Sequence, residues 1–463
     1  MSASINARRT PKRRTYRPLL ELMEDRRLLA TWTVDDDFVG VGCDSSDRRC
    51  ETIQEAVDAA NAGDTIKVKA GTYNENVDVG KKLTITGNGN PTVDPVDTDA
   101  GVSDGLTAYG FFLHANDIAI KGFNIQDNSP TGDGSSDADN TVGIGTSNQF
   151  SGYKISGNTI QGNTFGIYLN TSTSNGAHFT EVTGNNFDSN NSPGAASGNG
   201  IYSDQGARKV RIQNNKFRGH DNADVLFTNA GVAGPPLQIG ITIKGNSSVS
   251  SGIGFMFIGV QLSEISNNNI FASNFNGVQL GGSNVNITVK NNVMKNVGTQ
   301  GFSGIRLLNQ FPELGTTNNT NILIQGNSIV NAGLTGIRMA DTDNSIVRGN
   351  TVIGSKGFDL SVEGWGNGIS LENSSNNTID GNTLKLNARH GLFVDENSTA
   401  NLIKNNVSVS NAQLTPKDPS DPDSGGFDYR DLSLDDGTAG TANTYRNNAG
   451  RTDNPHGLIQ RHI

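Results

Sequence analysis

Residues 322–352 read ILIQGNSIVNAGLTGIRMADTDNSIVRGNTV, and this stretch decides the fold. The corner Gly326-Asn327-Ser328-Ile329 returns 23 residues later as Gly349-Asn350-Thr351-Val352, and Gly336-Ile337-Arg338-Met339 lies between them. Around the corners, apolar and polar residues alternate over runs of three to five, which is the period of a strand and not of a helix. The unit is therefore a short strand, a Gly/Asn-Asn corner, a second strand, a few polar residues, and Gly-apolar-x-apolar.

The unit recurs along the chain. Its first half appears at Gly157-Asn158-Thr159-Ile160, Gly184-Asn185-Asn186-Phe187 and Gly381-Asn382-Thr383-Leu384, and its second half at Gly166-Ile167-Tyr168-Leu169, Gly304-Ile305-Arg306-Leu307 and Gly368-Ile369-Ser370-Leu371. The second Asn of the corner repeats every 22 to 24 residues where the spacing is tightest (246, 268, 292; 327, 350; 382, 406), and longer gaps are the same unit with an inserted loop. A fixed period in the twenties, with no helix inside it, predicts a solenoid of parallel strands about 4.8 Å apart, each coil closing on itself with three sheets. Leucine-rich repeats share the period but need a Leu ladder that is missing here. The composition agrees: 57 Gly and 58 Asn make a quarter of the 463 residues, while hydrophobic residues reach 33%. Gly and Asn suit corners because they tolerate left-handed backbone, and stacked Asn amides can hydrogen-bond along the axis.

Before the repeat, Ile53, Ala56, Val57 and Ala60 recur at helical spacing, with Thr52 as a cap and Gly63 as a stop, which predicts a helix over 52–60 covering the first coil. Cys43 and Cys50, the only two cysteines, fit no common zinc spacing and would form a short-loop disulfide in an oxidising compartment. Residues 1–30 hold eight Lys/Arg against three Asp/Glu, a basic leader before a short amphipathic segment, leaving 28 basic against 43 acidic residues for the body. That acidic body is a poor partner for nucleic acid, and no apolar run approaches the length of a membrane helix. The expected organisation is a leader at 1–30, the solenoid at 31–450 and a C-terminal tail at 451–463.

The corners at Gly-Asn-x-apolar and the opening segment Ile53 to Tyr73 resemble the right-handed parallel β-helix repeat family, whose fold is shared by pectate lyases and NosD-like periplasmic proteins. The run Leu20-Glu21-Leu22-Met23-Glu24-Asp25-Arg26-Arg27-Leu28-Leu29-Ala30 is similar to an N-terminal segment of exported planctomycete proteins. The first resemblance implies an all-β right-handed parallel β-helix over about residues 50–450, and the second implies export to the periplasm, cell surface or exterior. The fold hosts many activities. The chain lacks the polygalacturonase set of Asn-Thr-Asp, Asp-Asp, Gly-His-Gly and Arg-Ile-Lys, the Trp-Ile-Asp-His segment of extracellular pectate lyases and the Asp-Pro-His of alginate epimerases. Asn454-Pro455-His456 only approaches the last. No catalytic residue of those families transfers.

The residues themselves offer one constellation. Arg306 and Arg338 occupy the same x position on neighbouring coils, followed by Ser370 and Phe393, and alternation with Ile305/Leu307 and Ile337/Met339 turns that position outward. Asp341, Asp343, Glu372 and Asp395, with Glu396, follow the same strands, so a mixed arginine and carboxylate patch is expected there; the insertion holding Phe358, Asp359, Glu363 and Trp365 would wall it. In lyases of the resembling fold an Arg or Lys base works beside carboxylate-held calcium, whereas inverting hydrolases need two carboxyls roughly 6.5–9.5 Å apart. Arg306, Arg338, Asp341, Asp343, Glu372 and Asp395 are the candidate catalytic residues, calcium is the candidate ion, and a polysaccharide or cell-surface glycan is the expected partner of a monomeric, exported protein. The acid-rich loops at Asp133, Asp137 and Asp139 and at Asp418, Asp421 and Asp423 have calcium-loop composition without EF-hand spacing. His390 reads as an exposed turn residue. A structural or adhesive rod without a reaction is the competing class, and a NosD-like copper factor a weaker third, since five Met and six His are unclustered.

Overall fold

The computed structural model describes residues 29–38, 42–96, 108–127, 141–194, 197–229, 237–357, 365–412 and 425–463. Residues 1–28 of the leader expected at 1–30, both acid-rich loops, and Phe358, Asp359 and Glu363 lie outside them.

Among the described residues, three sheets of 18, 15 and 14 strands, called A, B and C, run the length of the molecule. Every coil contributes to all three. In the coil that decided the reading, Leu323–Gln325 lies in sheet A, Ser328–Val330 in sheet B and Ile337–Ala340 in sheet C, before Ile346–Arg348 returns to sheet A. Neighbouring coils pair in parallel and in register, so Ile324 sits against Val347, Ile329 against Val352 and Ile305 against Ile337. These side chains point inward and are fully buried, giving one continuous core. Parallel pairing puts like side chains on like side chains, which is why a sequence repeat becomes a straight stack.

The two corner residues have different tasks. The first is left-handed at each corner, for example φ +64° at Gly326, +62° at Gly349 and +53° at Asn291, which explains why only Gly or Asn stands there. The second is a buried Asn whose amide is fully used. Asn268 donates to the Oδ1 of Asn292 (3.0 Å) and to the carbonyl of Ile243 (3.0 Å), while its own Oδ1 accepts from the backbone N–H (2.8 Å) and side chain (3.0 Å) of Asn246. The chain of amides runs unbroken from Asn158 to Asn448. At the entrance to sheet C the Gly is needed for space: a Cβ on Gly304 would meet the carbonyl oxygen of Gly336 at 2.7 Å.

The helix Ile53–Ala59 starts at a capping box in which Thr52 accepts from the Glu55 backbone N–H. Glu75 of the neighbouring coil accepts from the backbone N–H groups of Ile53 and Gln54, both at 2.8 Å, and Lys81 donates to the carbonyls of Asp58 and Ala60 at the other end. An anion at the N-terminus and a cation at the C-terminus suit the helix dipole. Cys43 and Cys50 form a disulfide beside this cap. At the opposite end, Asp453–Asn454 pairs in sheet C and Arg461–His462 in sheet B, so paired strands continue past the boundary expected at 450. No helix among the described residues is long and apolar enough to cross a membrane.

Candidate functional site

Sheets A and B alternate as a half-solvated sheet should, with strands such as Lys154–Ser156 and Thr159–Gln161 burying only the central residue. Sheet C does not. Its strands Ala108–Leu113, Thr141–Thr146 and Ile253–Ile258 are buried at every position. The outward row of sheet C, read from the N-terminal coils, is Asp78, Phe112, Gly145, Tyr168, Tyr202, Leu226, Met256, Gln279, Arg306, Arg338, Ser370, Phe393 and Arg430. Phe112, Tyr168, Met256 and Gln279 keep 4–7% exposure where their inward neighbours have none, so the row is recessed at these positions, while Tyr202, Arg306 and Arg338 are partly exposed.

Arg306, Arg338 and Glu372 come together in this row. Arg338 grips Glu372 with Nε at 2.9 and 3.1 Å and a second nitrogen at 2.5 Å, a fork geometry with both partners about one-fifth exposed. Arg306 stands opposite Arg338 one strand away and makes no hydrogen bond or ion pair among the described residues. Burial, and then the positive Arg338 beside it, hold the Arg306 guanidinium below its ordinary range, while Glu372 pulls the other way. The sequence places two arginines and a carboxylate on one face; the structure gives the carboxylate to one arginine and leaves the other available to an anion.

The remaining carboxylates tie turns together. Asp341 accepts from the Asn373 side chain (2.7 Å) and the Asn309 backbone (3.3 Å), and Asp343 from the Asn318 side chain (3.0 Å) and the Ser375 backbone (2.8 Å). Asp395 accepts from Ser398 Oγ (2.6 Å) and from the backbones of Asn397 (3.2 Å) and Asn373 (3.0 Å). Each carboxylate oxygen of Asp341, Asp343, Glu372 and Asp395 already has a donor. The arrangement offers Arg306 to an anion and the surrounding carboxylates to hydroxyl groups.

His390 is buried, not the exposed turn residue expected from sequence. It stacks between Phe393 (17° between planes) and Phe427 (9°), and its Nδ1 accepts the backbone N–H of Phe427 at 3.0 Å. Burial, followed by Arg389 and Arg430, drives its pKa well below the ordinary value, so it is neutral. His456 of the Asn454-Pro455-His456 segment pairs with Asp453 at 3.1 Å and is exposed.

Sequence reasoning passed over the N-terminal half of the row. Tyr168 and Tyr202 stack at 6.0 Å and 14°, with Phe165 edge-on to both at 5.6 and 5.9 Å. Both hydroxyls donate to one carboxylate, Asp204, at 2.8 Å from Tyr168 and 3.0 Å from Tyr202. Burial, reinforced by Asp204, pushes both phenols up, so they stay protonated as donors. The available signal was the same x position that singled out the arginines, followed toward the N-terminus. Among the described residues one group of three potential metal ligands exists, Asp35, Asp36 and Asp37, outside this row; Asp35 already pairs with Lys69 at 2.5 Å.

The comparisons agree on architecture. A family model described as the right handed beta helix region matches residues 240–450. No curated protein sequence matches the chain. The structure of DFA-IIIase from Arthrobacter chlorophenolicus A6 without its lid, in complex with GF2, is similar at 14% identity and TM-score 0.52, covering 76% of this chain and 94% of that one. Two looser likenesses are the A-module of the mannuronan C-5 epimerase AlgE4 from Azotobacter vinelandii (14% identity, TM-score 0.43, 93% and 99% covered) and the family 28 exopolygalacturonase of Yersinia enterocolitica (11%, 0.49, 85% and 77%). With the three parallel sheets, the family match makes this chain a right-handed parallel β-helix. At such identities the likeness is one of fold, and no site residue crosses with it.

Proposed function

We propose that the protein is an exported polysaccharide-binding solenoid that holds a glycan chain along the outward face of sheet C. One observation carries the reading: among the described residues, strands of sheet C from Ala108–Leu113 to Ile253–Ile258 are largely buried where sheets A and B alternate, so the outward row of sheet C has a recessed aromatic stretch and, farther along, two arginines. Flat rings beside fixed hydrogen-bonding groups are what sugar recognition requires, an apolar ring face and hydroxyl edges being met together. Arg306, with no counter-charge of its own, is the contact for an acidic substituent, and the Arg338–Glu372 pair fixes its surroundings.

The test is a binding panel of pectin, alginate and neutral polysaccharides with the full chain, with and without calcium, followed for new unsaturated or reducing ends. Retention of at least one polysaccharide, weakened by the Arg306→Ala/Arg338→Ala pair at unchanged melting temperature, is the expected result. Failure to retain any leaves a rigid rod, and binding indifferent to both arginines removes the arginines from the reading.

A further inference from the structure

We infer, resting on the reading of the sheet C face as a polysaccharide surface, that its N-terminal half is a subsite for uncharged sugar rings and that Asp204 sets this preference. The argument starts from charge. Among the described residues of the outward rows of the first coils, from Val77–Val79 to Ala223–Thr228, the acidic side chains are Asp78, Asp204 and the fully buried Asp224, and the basic rings His114 and His220 are already bonded to Asp78 and Asp224. No ion pair with a cation is formed by Asp204 among the described residues, and the two phenols that approach it stay neutral. A ring carrying a carboxylate or sulfate would meet an uncompensated carboxylate here, whereas at the other end it would meet Arg306. The face is segregated, acidic in its first half and cationic farther on.

Shape and hydrogen bonding agree with the charge. Tyr168 and Tyr202, nearly parallel on adjacent coils, give a stacking platform one strand spacing long, with Phe165 behind them and no side chain at the adjoining Gly145. Tyr202 and Asp204 are the partly exposed members of the group, so they are where a ligand first touches. Each Asp204 oxygen accepts one phenol and keeps a second lone pair for a sugar hydroxyl, a charge-assisted bond to an uncharged donor. Aromatic stacking and a carboxylate acceptor together select a polyhydroxylated neutral ring.

The experiment is calorimetric titration of the full chain with uncharged glucan and xylan oligosaccharides and, separately, with oligouronates, for the native chain, Tyr202→Ala, Asp204→Asn and, as a control on sheet B, Phe271→Ser, all matched by thermal unfolding. Asp204→Asn is expected to weaken uncharged oligosaccharides about tenfold or more and to strengthen oligouronates, inverting the preference. Tyr202→Ala is expected to lose the uncharged ligands, and Phe271→Ser to change nothing. An unaltered ratio in Asp204→Asn, or a native chain that binds oligouronates alone, overturns the subsite while the face reading stands. A native chain that binds no glycan overturns both.

Discussion

Two rows of residues run the length of this solenoid, one inside and one outside, and they obey opposite rules. The inner row is Asn at coil after coil from Asn158 to Asn448, each amide passing its hydrogen bonds to the next. The outer row of sheet C, on the same strand spacing, changes from Phe112 to Tyr168 to Met256 to Arg306 to Phe393. Once begun, the Asn row is hard to interrupt, because replacing one amide strands donors and acceptors on neighbouring coils; before Asn158 the same position holds Phe123 and no ladder runs. The outer row is free to vary, since the fold asks only that the residue point away from the core. In a stacked repeat, sameness marks structural need and departure from sameness marks the places available to function.

Substitutions can break that contrast, and the largest effects belong inside. Asn268→Leu takes away the side-chain donor of the Ile243 carbonyl and the acceptor of two Asn246 donors, leaving Asn292 Oδ1 only the backbone N–H of residue 268, and should cost about 3 kcal/mol or more in denaturant unfolding. Gly304→Ala forces a Cβ against the Gly336 carbonyl and the Ile329 side chain, both at 2.7 Å, and should cost about 2 kcal/mol in the same assay. His390 lies between the extremes. Its folded-state pKa is depressed by burial, so the unfolded chain takes up a proton first as pH falls below about 6.5. Its contribution is thus complete above that value and lost below it, by roughly 1 kcal/mol per pH unit, and His390→Gln should flatten the slope of stability between pH 7 and pH 5. The smallest change belongs outside: Arg306→Gln should move stability by no more than about 0.5 kcal/mol while weakening glycan binding. A large loss of stability there would place Arg306 with the ladder and end the contrast.

The same contrast explains what could be read from sequence. The corners at Gly326-Asn327 and Gly349-Asn350 were legible because the fold imposes them repeatedly, and the helix cap because its spacing is local. That Glu75 closes the helix from the next coil was not legible, since it depends on a contact across the stack. Arg306, Arg338 and Glu372 could be put on one face by alternation alone, but which arginine takes the carboxylate depends on a one-strand offset: Glu372 stands against Ala340, beside Arg338 and away from Arg306. Asp341, Asp343 and Asp395 were drawn to the patch by nearness in sequence, whereas the turn hydrogen bonds they accept come from neighbouring coils and could not be read there. Tyr168 and Tyr202 share the x position that singled out the arginines, but that Asp204 joins both phenols depends on contacts across coils.

The most direct measurement is side-chain footprinting of the full chain with and without a bound polysaccharide, comparing the sheet C row with the exposed apolar residues of sheet B. Protection should appear at Tyr202 and around Arg306 and Arg338, with Phe271 and Val293 unchanged although both are about half exposed. Protection at Phe271 and Val293 with the sheet C row unaltered would contradict the account.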